Sequence, residues 1–228
     1  MSQIPLSLRK KLSYNSENFI WHEGVKEIQE EVLSDLSHKI FRPFFIHGLP
    51  RSGKTHLSFA IAENLRSQGM TIKLIAGNQQ FEKSLEQGNF LEVEVVIFDA
   101  AEETLKELSP ELSGGMIDFF EQTKTAANTL IIISKDHYLD AHLDQHLLSR
   151  FELMRVMSIG CPSDEEVIDL IATLALQRGI KLKAQQLSYV SPRLPKVLGD
   201  IEQFLERLSY LAVSSNSSIN RNIISKAL

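Results

Sequence analysis

The sequence is nearly free of cysteine. Cys161 stands alone, so no intramolecular disulfide can form and nothing points to an oxidising compartment. Nowhere does an apolar run approach the roughly 18 residues of a membrane span, and the N-terminal MSQIPLSLRKKLSYNSE lacks the apolar core of a signal peptide; a cytoplasmic protein is expected. An excess of positive charge is missing too: 24 Lys and Arg against 29 Asp and Glu leave a net charge of -5, which argues against a chain devoted to coating nucleic-acid phosphates. Internal repeats are absent, and the one low-complexity stretch, SSNSS, reads as a turn. What is there is 43% apolar residues among 228, enough for one sizeable core or a core with an appendage.

Short β-rich apolar runs alternate with amphipathic stretches of helical length as far as residue 160. The runs are FFIHG (44–48), TIKLIAG (71–77), VEVVIFD (93–99), TLIIIS (129–134) and RVMSIG (155–160). Continuous apolar strands separated by helices are what a parallel sheet covered on both faces requires, so an α/β fold with a five-stranded parallel sheet is predicted. The pattern changes at CPSDEE, where Ser163 and Glu166 make a capping box. From there the pattern is helical: EEVIDLIATLALQRG, KAQQLSYVS, PKVLGDIEQFLERLSYLAV and INRNIISKAL. The expected organisation is an N-terminal tail (1–12), an α/β domain (13–160) and a small all-helical lid (161–228).

The most specific motif is GLPRSGKT, comprising Gly48, Leu49, Pro50, Arg51, Ser52, Gly53, Lys54 and Thr55, placed between the strand FFIHG and the helix KTHLSFAIAENLRSQG. It fits the G-x-x-x-x-G-K-[ST] phosphate loop: backbone N–H groups and a helix N-terminus surround phosphate, Lys54 neutralises β and γ oxygens, and Thr55 ligates Mg²⁺. VEVVIFD then supplies Asp99, a carboxylate at the end of a buried strand, as the second metal-side residue. The cofactors implied are ATP or ADP with Mg²⁺. Water attack on a γ-phosphate needs a group to orient the nucleophile, and Ala100 offers none. Glu102 and Glu103 follow closely, but also suit the acidic start of the helix AEETLKEL. Weak intrinsic hydrolysis is expected.

In this order the motifs resemble the AAA+ family, and within it the DnaA/Hda branch of replication initiators and their short regulatory relatives. The likeness covers nearly the whole chain. NSENFIWHEGVKEI, with Asn18 and Phe19, is similar to the family's N-terminal box around the adenine pocket; GLPRSGKT is its Walker A motif and VVIFDA its Walker B; Ser134 falls at sensor I. LLSRFEL matches the segment carrying the arginine finger, which implies Arg150 as a guanidinium inserted in trans into a neighbour's site. By itself Arg150 equally suits a helix C-terminal cap or a pair with Glu152. The resemblance further implies a P-loop αβα sandwich with a lid, a possible homo-oligomer, and DnaA as a partner.

Two departures from the family pattern stand out. One is Ala100; the other is Gly199, where the lid's nucleotide-sensing arginine belongs, with Lys196 or Arg193 about a turn away as substitutes. The sequence ends after the lid, at Leu228, so no sequence-specific DNA binding is expected, which favours a regulator over an initiator. QIPLSL, through Gln3, Ile4, Leu6 and Leu8, resembles the peptide by which replication proteins dock on the DNA polymerase III sliding clamp; alone it would read as a tail strand or disorder. The resemblance thus implies an adaptor that holds nucleotide, docks on the clamp and promotes hydrolysis of DnaA-bound ATP, restraining initiation. The alternatives are an AAA+ motor or helicase loader that uses Glu102 or Glu103, and a scaffold that stimulates nothing. His142 and His146, at i and i+4, lack the glutamate of a metalloprotease helix and read as a solvated face.

Overall fold

The computed structural model describes residue 16 and residues 18–34, 40–88, 90–215 and 218–228; the clamp-like stretch from Gln3 to Leu8 lies outside them. Five strands, β1 (Arg42–His47), β2 (Ile72–Ala76), β3 (Val95–Asp99), β4 (Thr129–Ser134) and β5 (Arg155–Ser158), pair in parallel in the order β2-β3-β4-β1-β5. Every residue of β3 and β4 is buried, as the unbroken apolar runs demand of central strands covered on both sides.

Alternate side chains feed two separate cores. On one face Phe45, Val96, Phe98, Leu130 and Ile132 meet Phe81 of α3 (Gly77–Gln87), Phe119 and Phe120 of α5 (Pro110–Thr125) and Phe151 of α6 (Gln145–Phe151). Phe81 and Phe98 stack with centroids 4.7 Å apart. On the other face Phe44, Ile46, Ile97 and Ile133 pack on α1 (Glu23–Val32) and α2 (Lys54–Ser67). This period-2 division makes the three-layer arrangement, with α2 lying across β2, β3 and β4.

The last four helices, α7 (Asp164–Gln177), α8 (Ala184–Val190), α9 (Leu198–Ser214) and α10 (Arg221–Ala227), close a third core around Ile171, Phe204, Leu205 and Ile224. The capping box is formed: Ser163 accepts from the Glu166 N–H at 3.3 Å, and the Ser163 N–H donates to Glu166 at 2.8 Å. The same carboxylate also receives the Glu23 N–H at 3.0 Å, so it joins the starts of α1 and α7. These hydrogen bonds hold the Glu166 carboxyl below the usual glutamate range. A depressed carboxylate stabilises above its unfolded pKa, and that contribution is lost as pH falls through the folded value. Glu166→Ala is therefore expected to cost about 1–2 kcal/mol at pH 7. In thermal unfolding its difference from wild type should shrink below about pH 4.

His142 lies outside α6, whose N-cap is Asp144, accepting from the Leu147 N–H at 2.9 Å. The two histidines therefore do not share a helical face. Among the described residues no group of three or more His, Cys, Asp or Glu could hold a metal ion, and no helix is long and apolar enough to cross a membrane.

Candidate functional site

Strand order reverses beside β1, because the chain leaves it for β2 across β4 and β3. Such a switch point opens a crevice at the C-terminal ends of the strands, and the GLPRSGKT loop fills it. The loop is folded on itself: the Ser52 N–H donates to the Leu49 carbonyl at 3.1 Å. Lys54 Nζ donates to the carbonyls of Gly48 and Leu49 at 2.9 and 2.7 Å. Gly48 is required by close approach, since a Cβ there would sit 2.9 Å from Ser52 Oγ and 3.0 Å from Ile159 Cβ. Gly53, at φ 90°, is the N-cap of α2 and provides no side-chain cap, leaving the first-turn N–H groups available to an anion.

Asp99 ends β3 almost wholly buried, at 3% exposure. Burial raises its carboxyl pKa, while the Thr55 hydroxyl, the Ala100 N–H and the Ser58 hydroxyl, the last at 3.3 Å, act in the opposite direction. A buried carboxylate beside a threonine hydroxyl is a hard-oxygen corner of the kind Mg²⁺ takes, and Asp99 and Thr55 are the residues that would hold it. Such a cation would supply charge neutralisation to a bound phosphate; the chain's own part is to fix the Asp99 and Thr55 oxygens. Ser134, also buried, is paired in register with His47 at the root of the loop, and its hydroxyl accepts from the Asp136 N–H at 3.2 Å.

Ala100 has φ 55°, a left-handed conformation that costs an L-residue about 1–2 kcal/mol. The turn sends the chain into α4 (Glu102–Lys106) with the Ala101 N–H on the Ile133 carbonyl at 3.0 Å. It also separates the two glutamates. Burial lowers the Lys54 pKa, and the negative charges of Glu102, Asp99 and Asp136 oppose that shift; Glu103 is exposed. Glu102 accepts from the Lys135 N–H at 3.3 Å, and Asp136 pairs with Lys106 at 2.6 Å. Lys135 and Asp136 were not singled out in the sequence because only the turn after β4 brings them to the loop.

A cleft of about 40 Å³ lies beside the loop between α2 and the lid. Phe19 meets Trp21 and His56 edge-on, at 4.7 and 5.0 Å between centroids, and His56 shares a 2.6 Å hydrogen bond with Asn18. Leu170 and Leu174 of α7 supply an apolar wall, and Gln177 donates to the Asn18 carbonyl at 3.2 Å. Apolar walls with a few amide and imidazole groups suit a nucleobase. The volume has room for a few waters, so a base would fit only after a shift of Phe19 or of the lid. His56 was passed over in the sequence although it lies inside GKTH.

Arg150 sits elsewhere. β5 starts with Arg155 opposite Phe44, so the end of α6 lies at the edge of the sheet where strands begin, while the phosphate loop follows His47 where they end. Its guanidinium is tied to Glu121 of α5 by Nε at 2.9 Å and Nη2 at 2.7 Å, and Nη1 donates to the His146 carbonyl at 2.7 Å. Glu121, rather than Glu152, is the partner. Nor are the lid cations placed over the loop: Lys196 pairs with Asp164 at 2.6 Å, and Arg193 donates to the Tyr189 carbonyl at 2.7 Å and stacks on its ring.

No family model matches the sequence. Among curated proteins, an uncharacterised Haemophilus influenzae protein is 25% identical over 231 residues, covering 99% of this chain and 98% of that one. The chromosomal replication initiator protein DnaA of Lactobacillus helveticus is 23% identical over 249 residues, covering 99% of this chain and 52% of the initiator. The chain thus spans about half the length of the DnaA relatives it matches. Domain III of the Thermotoga maritima DnaA superposes with a TM-score of 0.75 at 17% identity, covering 94% of this chain and 95% of that domain. AMPPCP-bound DnaA from Aquifex aeolicus gives 0.73 at 21% identity, with 93% and 69% covered. With its reversed five-stranded parallel sheet, phosphate loop and helical lid, the chain has the AAA+ fold of DnaA domain III.

Proposed function

We propose that the protein is a DnaA-related, replication-associated AAA+ adaptor of the Hda kind, which holds Mg²⁺-ADP or Mg²⁺-ATP and promotes hydrolysis in a partner. The observation that carries this reading is an asymmetry within one molecule. The corner of Lys54, Thr55 and Asp99 is complete for gripping phosphates, yet Ala100 has no group to orient water. Meanwhile Arg150 lies at the opposite edge of the sheet, out of reach of its own loop and suited to a neighbour's. The AMPPCP-bound state of a fold relative supports nucleotide as the ligand.

In this scheme nucleotide fixes the loop and lid so that the face carrying Arg150 is held rigid. DnaA, loaded with ATP, docks on that face, and the guanidinium leaves or shares Glu121 to stabilise charge developing on the partner's γ-phosphate. Gln3, Ile4, Leu6 and Leu8 place the complex on the DNA-loaded sliding clamp. Copurification on an untagged clamp tests this: Gln3→Ala and Leu6→Ala are expected to abolish retention while leaving nucleotide affinity unchanged. Equal retention of wild type and variants would remove the clamp from the account.

A second reading has one observation behind it. Glu102, whose charge acts on Lys54 and Asp99 and whose carboxylate reaches the turn after β4, is the better placed of the two glutamates for a motor-type ATPase. Its hydrogen bond from the Lys135 N–H occupies one carboxylate oxygen and weighs against a free base.

A further inference from the structure

The phosphate loop carries a second cation. Arg51 stands at φ 62°, a left-handed position that favours glycine, and a long side chain is a costly choice there. Such outliers persist where the surrounding structure uses them, most often at ligand sites. Among the described residues no acidic side chain pairs with its guanidinium.

Its side chain lies instead across the first turn of α9. A Cβ built on Gly199 would sit 2.4 Å from Arg51 Cβ, 3.2 Å from Cδ and 3.1 Å from Nε. No residue bearing a side chain fits at 199 while Arg51 keeps this position. The neighbouring Leu198 rests on the loop as well, its Cδ2 3.0 Å from a Cβ built on Gly53. The start of α9 therefore touches the loop on both sides of Ser52, and the missing side chain at 199 makes the seat for the arginine stem.

We propose that Arg51 is a phosphate ligand and also the strut through which bound nucleotide holds the lid on the loop. The proposal rests on the nucleotide reading above and deepens it. A guanidinium presents paired donors that match phosphate oxygens, and here the stem from Cβ to Nε is occupied by α9 while the Nη groups are left for the ligand. One side chain then touches both nucleotide and lid. Phosphate that pins the guanidinium also pins α9.

The test is calorimetric titration of the full chain with Mg²⁺-ADP and Mg²⁺-ATP, with hydrogen exchange at the first turn of α9 in parallel. Arg51→Gly is expected to weaken both nucleotides by about tenfold or more. It should not lower the melting temperature without nucleotide, because glycine accepts the left-handed backbone. Gly199→Ala should weaken binding comparably on its own yet add less than about twofold on top of Arg51→Gly, since its Cβ acts by displacing that side chain. Nucleotide should slow exchange in α9 in the wild type and not in Arg51→Gly. Wild-type affinity in Arg51→Gly, or losses that multiply in the double variant, would overturn the proposal alone. A wild-type chain that binds neither nucleotide would overturn the nucleotide reading and this proposal together.

Discussion

Lys54→Ala is expected to weaken binding of Mg²⁺-ADP and Mg²⁺-ATP by about 100-fold or more, the loss of charge-assisted hydrogen bonds to two phosphate groups. In the structure the ammonium is held by the Gly48 and Leu49 carbonyls, so it is already aimed into the loop and little ordering remains to be done on binding. Burial lowers its pKa, but Glu102, Asp99 and Asp136 oppose this and favour the charged form. The folded chain should survive the substitution, because the loop keeps its Ser52–Leu49 turn and α2 keeps its buried face of Leu57, Ile61 and Leu65. Titration with a fluorescent nucleotide, alongside circular dichroism, separates the two effects. An unchanged affinity would remove this loop as the ligand site.

Arg150→Ala is expected to abolish stimulation of phosphate release from ATP-loaded DnaA, by about 10³-fold if the guanidinium acts as a finger in trans. Nucleotide affinity of the chain itself should stay within about twofold, because Arg150 is at the other edge of the sheet. Its loss should cost only about 1 kcal/mol of stability, the worth of a partly exposed ion pair with Glu121. Glu121→Ala sharpens the test: it frees the guanidinium and should preserve stimulation. Stimulation undiminished in Arg150→Ala would show that the residue is a structural tie between α5 and α6.

The strands were legible because burial on both faces writes itself as unbroken apolar runs, VVIFD and TLIIIS being the clearest. The phosphate loop was legible because its chemistry fixes residue types at fixed spacing between a strand and a helix. Less of the site's surroundings could be read. Glu102 and Glu103 are equivalent in sequence, and only the fold shows that Glu102 meets the Lys135 N–H after β4 while Glu103 is exposed. Glu121 lies 29 residues from Arg150, so the pair depends on how α5 packs on α6. His142 missed the helical face because Asp144 was the better N-cap, a local competition that spacing alone does not settle. Lys196 and Arg193 were near enough in sequence to serve the loop but found partners within the lid. The contact of Arg51 with Gly199 needs the lid docked on the loop, and no local pattern encodes that.

The claim at the centre of this account is that the chain holds nucleotide and leaves hydrolysis to a partner. ATP turnover by the purified protein alone, with saturating Mg²⁺-ATP, tests it most directly. Stable binding is expected, with turnover well under about 1 s⁻¹, the low end for working enzymes. Turnover at or above that rate, lost in Glu102→Gln with binding intact, would contradict it.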